Sequence, residues 1–327
     1  MTIRDISGLK RDAREALRSC PSQQRIVMIH TAVLVGLSLL LTAADYVLAE
    51  MISGTGGLGN MGTRTILSTL QSMLPILQML VLLGWNAGYT MAVMKIVRRE
   101  PADHTTLYGG FSLFWALLRS MLLEGMIYFA LVMLSFHLAT MIYMFTPWAM
   151  DLVAVMEPVL PSMLSATVPV LDEALLVPAL KAMAPMLLIF GGLYFLLALP
   201  VSYRLRMSLF CLVDAPRAGA MNALRTSRRI MRRNCFALFR LDLSYWWYHG
   251  LLALASLVQM IPMLDLPLPI SWDALYYLCY GAYLTIVFVL YLLARNRVET
   301  TYAAAYETLR EKPVEHAVVL GNIFDMQ

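Results

Sequence analysis

The side chains that could do chemistry in this sequence are a few polar groups within long apolar runs. Asn86, His137 and His249 lie well inside such runs, and Glu124 and Asp242 lie near the ends of the runs that contain His137 and His249. Polar groups are costly at membrane depth, so those that are kept there serve a binding site, a proton path or a contact between helices. We take these five residues as a candidate intramembrane polar path. The alternative is that they only hydrogen-bond neighbouring helices.

The other patterns that could indicate chemistry are weak. Gly54, Gly56 and Gly59 have the spacing of a dinucleotide-binding loop, but that loop must follow a β-strand and precede a helix. Here the glycines follow an apolar run, and we interpret them as a linker. The five histidines are too scattered to predict a metal site. We therefore expect no catalytic residue, no cofactor and no metal, and we expect that the chain is not an enzyme.

The composition predicts the class of protein that must position these residues. Of 327 residues, 60% are hydrophobic and 14% are charged, whereas a soluble domain is about half apolar and about a quarter charged. A soluble enzyme, a disordered chain and a nucleic-acid-binding module are thus excluded. Crossing a bilayer takes roughly 20 apolar helical residues. Six runs are long enough: Ile26–Leu48, Leu70–Val93, Ser120–Tyr143, Pro185–Met207, Phe236–Met260 and Ala274–Leu293. The predicted fold is all-α, a polytopic membrane protein with six transmembrane helices.

The Lys and Arg residues predict the orientation of these spans, because cytosolic loops are rich in them. All but three of the 25 basic residues lie before the first span, after the second, around the stretch 204–240, or after the sixth. The exceptions are Arg64, Arg119 and Lys181. We therefore expect a multi-pass protein of the cell membrane with both termini in the cytosol.

The segments outside the spans have their own patterns. Residues 1–25 should contain a cytosolic amphipathic helix, and residues 26–312 should form the membrane domain, followed by a cytosolic tail at 313–327. The outer loop 147–184 contains five prolines, which favour short helices over one continuous span. The stretch 214–233 should form a basic cytosolic helix that begins at Asp214. We expect its arginines to bind anionic lipid or a partner, or merely to anchor the topology: Arg217, Arg225, Arg228, Arg229, Arg232 and Arg233.

Three stretches of the chain look familiar. They are the basic segment Leu9–Leu17, the segment Ser227–Ser244 with its Leu-Phe-Arg-Leu-Asp-Leu-Ser ending, and the closing segment Thr300–Leu309. Together they resemble a bacterial integral-membrane family known as domain of unknown function 975. Arg233 departs from the pattern, which usually has glycine there. The resemblance implies a bacterial multi-helix membrane protein and supplies no activity, since the family has none assigned.

Two functions are compatible with these patterns. The first is a non-enzymatic membrane scaffold or accessory subunit whose basic cytosolic surface binds anionic lipids of the bilayer, a membrane or cytosolic protein, or a second copy of the chain. The second is a transporter or permease for a small solute or ion, with a polar path between its helices. Neither involves nucleic acid, because topology accounts for the basic charge.

Overall fold

A computed structural model describes residues 5–54, 61–157, 173–264 and 271–310, and they are overwhelmingly helical with no β-strand. The longer helices are α1 (Ile6–Ser19), α2 (Gln23–Gly54), α3 (Met61–Val97), α4 (Phe114–Met144), α5 (Trp148–Met156), α6 (Glu173–Leu205), α7 (Ser208–Asp214), α8 (Ala220–Met231), α9 (Cys235–Leu243), α10 (Trp246–Val258), α11 (Trp272–Leu290) and α12 (Asn296–Arg310). Short 3₁₀ segments lie at His104–Leu113, Pro216–Ala218 and Ile261–Leu264, and a π-helical turn at Tyr291–Arg295 joins α11 to α12. The all-α prediction is confirmed.

Five stretches within the described residues are long and apolar enough to cross a membrane. They are Gln23–Gly54, Met61–Val97, His104–Met144, Lys181–Asp214 and Ala274–Arg310. Each contains one of the predicted spans or most of it. The remaining predicted span, Phe236–Met260, is instead divided into α9, with nine residues, and α10, with 13. Helix length alone therefore does not confirm a count of six spans.

The division between α9 and α10 falls at Ser244 and Tyr245, and tertiary contacts explain it. The Ser244 hydroxyl donates to the Leu241 carbonyl at 2.6 Å, while the Ser244 carbonyl accepts a hydrogen bond from Lys10 Nζ of α1 at 3.1 Å. The Tyr245 hydroxyl lies 2.9 Å from Thr301 Oγ1 of α12. The bonds to the Leu241 and Ser244 carbonyls pair backbone groups at the helix break, and the hydroxyl contact with Thr301 holds the Tyr245 side chain against α12. The apolar pattern could not predict the break, because its partners are far away in sequence.

The chain divides into two compact units. The first comprises the described residues up to Ser120 and from Arg206 onward, and the second comprises Met121–Leu205. In the second unit, α5 packs against α6. There the Tyr143 hydroxyl donates to the carbonyls of Trp148 and Ala182, at 2.8 and 2.9 Å, beside buried Ala149 and Met186.

The outer loop predicted at 147–184 is described only in part. It includes α5 and the beginning of α6, and α6 runs on through Pro178 and Pro185. Residues 158–172 lie outside the described residues, as does the predicted tail 313–327. Of the described prolines in this loop, Pro147 lies in the turn between α4 and α5, and Pro178 lies within α6.

In the first unit, the 3₁₀ segment His104–Leu113 packs closely on α3. A Cβ atom built on Gly88 would lie 1.8 Å from the Leu107 carbonyl oxygen, and one built on Gly110 would lie 2.0 Å from the Gly84 carbonyl oxygen. Only glycine fits where two backbones approach this closely. The segment and α3 thus form one rigid layer of this unit.

The amphipathic helix α1 packs against α12 through its buried apolar face, formed by Leu9, Ala13, Ala16 and Leu17. Asp5 caps the start of this helix by accepting a hydrogen bond from the Ser7 backbone N–H at 2.9 Å. The helix α1 is therefore fixed to α12, the last helix among the described residues.

The second predicted surface helix is shorter than expected. α8 begins after Gly219, whose φ of +80° is a conformation that glycine adopts readily, and it does not begin at Asp214. Asp214 is instead the last residue of α7, and its carboxylate is engaged elsewhere. The prediction that the basic helix begins at Asp214 is therefore wrong.

Candidate functional site

A cavity of about 530 Å³ lies among the helices of the first unit. Its walls come from α2, α3, α7, α11, the π-helical turn and α12. Leucine, valine and methionine side chains form part of the lining, and the polar and charged groups include Ser38, Gln78, Asn86, Arg206, Arg295 and Glu299. Pockets of a few hundred cubic ångströms with a few polar groups on apolar walls are typical sites for small ligands.

The π-helical turn Tyr291–Arg295 positions one of the two guanidinium groups. Arg295 Nη2 donates to Asn86 Oδ1 at 3.0 Å. The same guanidinium lies over the rings of Tyr89 and Tyr291, at 5.1 and 4.2 Å from their centroids. Aromatic faces attract cations and hold this side chain in place. Within the described part of the chain, no carboxylate lies within 4 Å of it.

Glu299 supplies a negative charge on the same cavity wall. It lies four residues after Arg295 and is half-buried. Side chains at this spacing lie on one face of a helix, with Cβ atoms about 5–6 Å apart. Nevertheless Arg295 points to Asn86 and the tyrosines, and among the described residues Glu299 forms no ion pair or hydrogen bond. One wall of the cavity thus carries a cation, Arg295, and an anion, Glu299, that do not form an ion pair with each other.

A second polar cluster adjoins the cavity at Tyr302, which also lines it. The Tyr302 hydroxyl donates to Asp242 Oδ1, and His249 Nε2 lies 3.3 Å from the same hydroxyl. Arg206 Nη2 lies 3.5 Å from Asp242 Oδ1, and its guanidinium lies 5.0 Å from the centre of the Tyr302 ring. Tyr302 therefore joins two predicted residues, Asp242 and His249, to the cavity.

The structure thus brings Asn86, Asp242 and His249 into the first unit. Glu124 and His137 lie on the part of α4 that belongs to the second unit. Glu124 is half-buried, and His137 Nδ1 lies 2.9 Å from the Met133 carbonyl in the preceding turn of its own helix.

Four residues of the site were not predicted: Arg206, Arg295, Glu299 and Tyr302. In the sequence, the two arginines indicate only the orientation of the spans. Residues 295, 299 and 302 follow the i, i+4, i+7 spacing of one helix face. That spacing is the signal that could have indicated a shared polar face.

A separate ion-pair cluster joins the C-terminal ends of α3, α7 and α12. Arg98 Nη2 lies 2.6 Å from Asp214 Oδ1, and Arg98 Nε donates to Glu307 Oε1 at 2.7 Å. Arg310 Nη1 and the Tyr306 hydroxyl each lie 3.0 Å from an oxygen of the Asp214 carboxylate. Partial burial opposes the charge of Arg98, but the hydrogen bonds to Asp214 and Glu307 outweigh it and raise the pKa of this guanidinium. The cluster is a structural clamp.

The predicted basic surface lies on α8 and the residues that flank it. The apolar face of α8, which includes Ala223, Leu224 and Met231, is buried in the protein. The predicted arginines are all exposed and, in the described ranges, none forms an ion pair: Arg217, Arg225, Arg228, Arg229, Arg232 and Arg233. We refer to these six residues as the α8 arginine surface.

The resemblance to domain of unknown function 975 is neither supported nor refuted by comparison with known proteins. No protein-family model matches the chain, and neither a curated protein nor a solved structure has significant similarity to it.

Proposed function

We propose that the protein is a six-span transporter or permease of the cell membrane that binds a small zwitterionic solute, such as an α-amino acid, in the cavity beside Arg295 and Glu299. The observation that carries this proposal is the pair of opposite charges that lie on one cavity wall without pairing. Arg295 would bind the carboxylate of the solute, and Glu299 would bind its ammonium group. Buried polar groups that must be paired by the ligand discriminate strongly against molecules that lack the matching group.

The ion-pair cluster supports the six-span topology. Because Arg98, Asp214 and Arg310 meet there, α3, α7 and α12 end on the same side of the membrane. The span containing α11 ends on that side too, so the chain must cross the membrane between Asp214 and Trp272. Of the described elements in this interval, only α9 and α10 together approach the length of a span. We assign them as the fifth span, broken at Ser244.

The N-terminus belongs to the same side. Asn296 Nδ2 donates to Gln23 Oε1 at 3.1 Å, which brings the start of α2 to the start of α12. With the basic residues gathered on this side, both termini are cytosolic.

A cysteine-labelling experiment tests this topology. On a background without the native cysteines, Ser271→Cys should react in intact cells with a membrane-impermeant maleimide, because it precedes α11 on the outer side. Ser53→Cys is the outer control, and Ala218→Cys, which is exposed on the cytosolic side, should react only after lysis. Protection of Ser271→Cys in intact cells would rule out the crossing by α9 and α10.

Transport itself is tested in proteoliposomes with radiolabelled neutral amino acids. We expect the wild-type protein to exchange at least one of them across the membrane. Glu299→Gln and Arg295→Gln should each lower the initial rate by at least about tenfold, since each removes one charge-assisted contact. Glu50→Gln, at an exposed position on α2, is the matched control. Failure of all amino acids to exchange, or unchanged rates in both variants, would contradict the proposal.

A second candidate function rests on the α8 arginine surface. Most of the apolar face of α8 already packs within the protein and only Met221 is an exposed large apolar side chain on this helix, so its arginines are available to an acidic protein rather than to the lipid interior. In this case the chain is a non-enzymatic scaffold or accessory subunit. Six exposed guanidinium groups without carboxylate partners favour such an interface.

A pull-down of the full chain in mild detergent tests this second function. A stoichiometric partner with an acidic surface should be retained at low salt and lost when Arg228, Arg229, Arg232 and Arg233 are all changed to glutamine. A control chain with Arg11→Gln and Lys181→Gln should keep it. Retention of the partner by the fourfold variant, or recovery of phospholipid alone, would count against the accessory role.

A further inference from the structure

Two adjoining cavities lie where α1, the start of α2 and the start of α12 meet. Their volumes are about 490 and 180 Å³, and both are lined by Arg14, Leu17, Leu293 and Arg297. The larger one also contains Arg18. This region is distinct from the cavity beside Glu299 and from the α8 arginine surface.

The charge in this region is strongly positive. Arg14, Arg18 and Arg297 are exposed and, among the described residues, none of them lies within 4 Å of a carboxylate. Lys10 lines the smaller cavity, where partial burial and the nearby Arg14 lower the pKa of its ammonium group. An anion bound here would relieve the repulsion between these cations.

Apolar side chains lie directly beside these cations. Leu292, Leu293 and Val27 line the larger cavity, and Leu293 is 67% exposed. They lie within or next to apolar runs, whereas Arg297 follows the last of these runs and Arg14 and Arg18 lie on α1, before the first. A ligand that fits must therefore carry an anionic group on one side and a hydrocarbon chain on the other.

We infer that Arg14, Arg18 and Arg297 form a binding site for the phosphate of an anionic phospholipid whose acyl chain lies along Leu292 and Leu293. Guanidinium groups bind phosphate oxygens through paired, charge-assisted hydrogen bonds. Basic pockets between membrane helices at the cytosolic surface are well suited to lipid headgroups. The neutral polar groups of Gln23 and Gln24 line the same cavity and can contact the rest of the headgroup. The bound lipid would hold α1 against α12.

The site is tested by measuring the phospholipid retained by the full-length protein. The wild-type chain, purified in mild detergent and supplied with phosphatidylglycerol, should bind about one molecule saturably, as measured by native mass spectrometry. In the variant with Arg14, Arg18 and Arg297 changed to glutamine, the affinity should fall at least about tenfold. The control variant has Arg225→Gln, Arg228→Gln and Arg229→Gln, which remove the same charge from the α8 arginine surface, and it should bind as the wild type does.

Further arms of the experiment separate the source of the phosphate from other effects. Millimolar inorganic phosphate should not displace the lipid, and Leu293→Gln should weaken lipid binding. If inorganic phosphate competes fully, the site binds free phosphate and the lipid assignment is wrong. Equal loss of lipid in the α8 control would show a dependence on net charge only and would also overturn the site. Circular dichroism and the thermal midpoint show whether each variant is folded. Because lipid binding is measured directly, the result does not depend on whether the protein transports a solute.

Discussion

At the scale of single residues, what distinguishes this protein is how its charges are paired. Arg98 and Asp214 form a close clamp with Glu307 and Arg310, whereas Arg295 and Glu299 lie one turn apart without pairing. Asn86 takes the place of a carboxylate at Arg295. Two opposite charges that lie apart in a cavity are unfavourable unless a ligand pairs with both of them. We therefore place the proposed binding site beside Arg295 and Glu299.

The clamp at Asp214 makes a prediction about stability. The Asp214 side chain is only 9% exposed, so Asp214→Asn leaves the Arg98 and Arg310 guanidiniums with a weakened partner in a partly buried site. We expect the free energy of unfolding to fall by roughly 2–4 kcal/mol, measured by denaturant titration in detergent.

The control for this prediction is an exposed pair. Glu15 lies 3.9 Å from Arg99, and the two side chains are 57% and 70% exposed. Glu15→Gln should lower the free energy of unfolding by less than about 1 kcal/mol. Equal effects of the two substitutions would mean that the Asp214 cluster is no more than a surface ion pair.

Residue identity allowed only part of the site to be predicted. Asn86, Asp242 and His249 stand out because they are polar residues inside apolar runs, and the structure places all three at or beside the cavity. Arg295 and Glu299 were not predicted to belong to the site, because the topology of the chain already explains charged residues at the end of a span. Their role depends on the direction in which Arg295 points, which the sequence does not encode locally.

At the scale of elements, the apolar runs predicted where helices lie but not where they break. Continuous apolar sequence from Phe236 to Met260 predicts one helix, yet Ser244 and Tyr245 are held by Lys10 and Thr301 from distant parts of the chain. These two tertiary contacts outweigh the local preference for one continuous helix. By contrast, the small residues Gly84, Ala87 and Gly88 on α3 allow a close approach, and the segment His104–Leu113 packs against α3 at both glycines.

This close packing predicts the effect of adding a methyl group. Gly88→Ala would place a Cβ atom 1.8 Å from the Leu107 carbonyl oxygen, so the 3₁₀ segment would have to move away from α3. We expect a loss of at least about 2 kcal/mol in the free energy of unfolding. Thermal unfolding followed by circular dichroism measures it.

Gly36→Ala provides the comparison, because no atom of the described residues lies within 4 Å of a Cβ atom built at that position on α2. Alanine is the better helix former, so this variant should be neutral or slightly more stable, by up to about 1 kcal/mol. A Gly88→Ala variant as stable as Gly36→Ala would show that the two backbones do not approach each other closely.

At the scale of the whole molecule, the first unit brings together the ends of α3, α7 and α12, and the start of α2 lies beside the start of α12. The polar cavity extends from Arg206 and Glu299 to Ser38 and Gln78, which lie near the middle of their predicted spans. This arrangement supports the proposed solute path. The composition of the chain predicts a membrane protein, and the distribution of its charges predicts its sidedness, but neither predicts a cavity.

The most direct test of the account is whether water enters this cavity at the depth of Ser38. In nanodiscs, and without the native cysteines, Ser38→Cys should react with a small charged methanethiosulfonate reagent, because a thiol must ionise in water to react. Leu40→Cys is the control on the same helix: Leu40 is 64% exposed and does not line the cavity, so in a bilayer it faces hydrocarbon and should stay unreacted. Rapid modification of Ser38→Cys alone is the predicted result. If Ser38→Cys is as unreactive as Leu40→Cys, the cavity is dry and the proposed solute site is wrong.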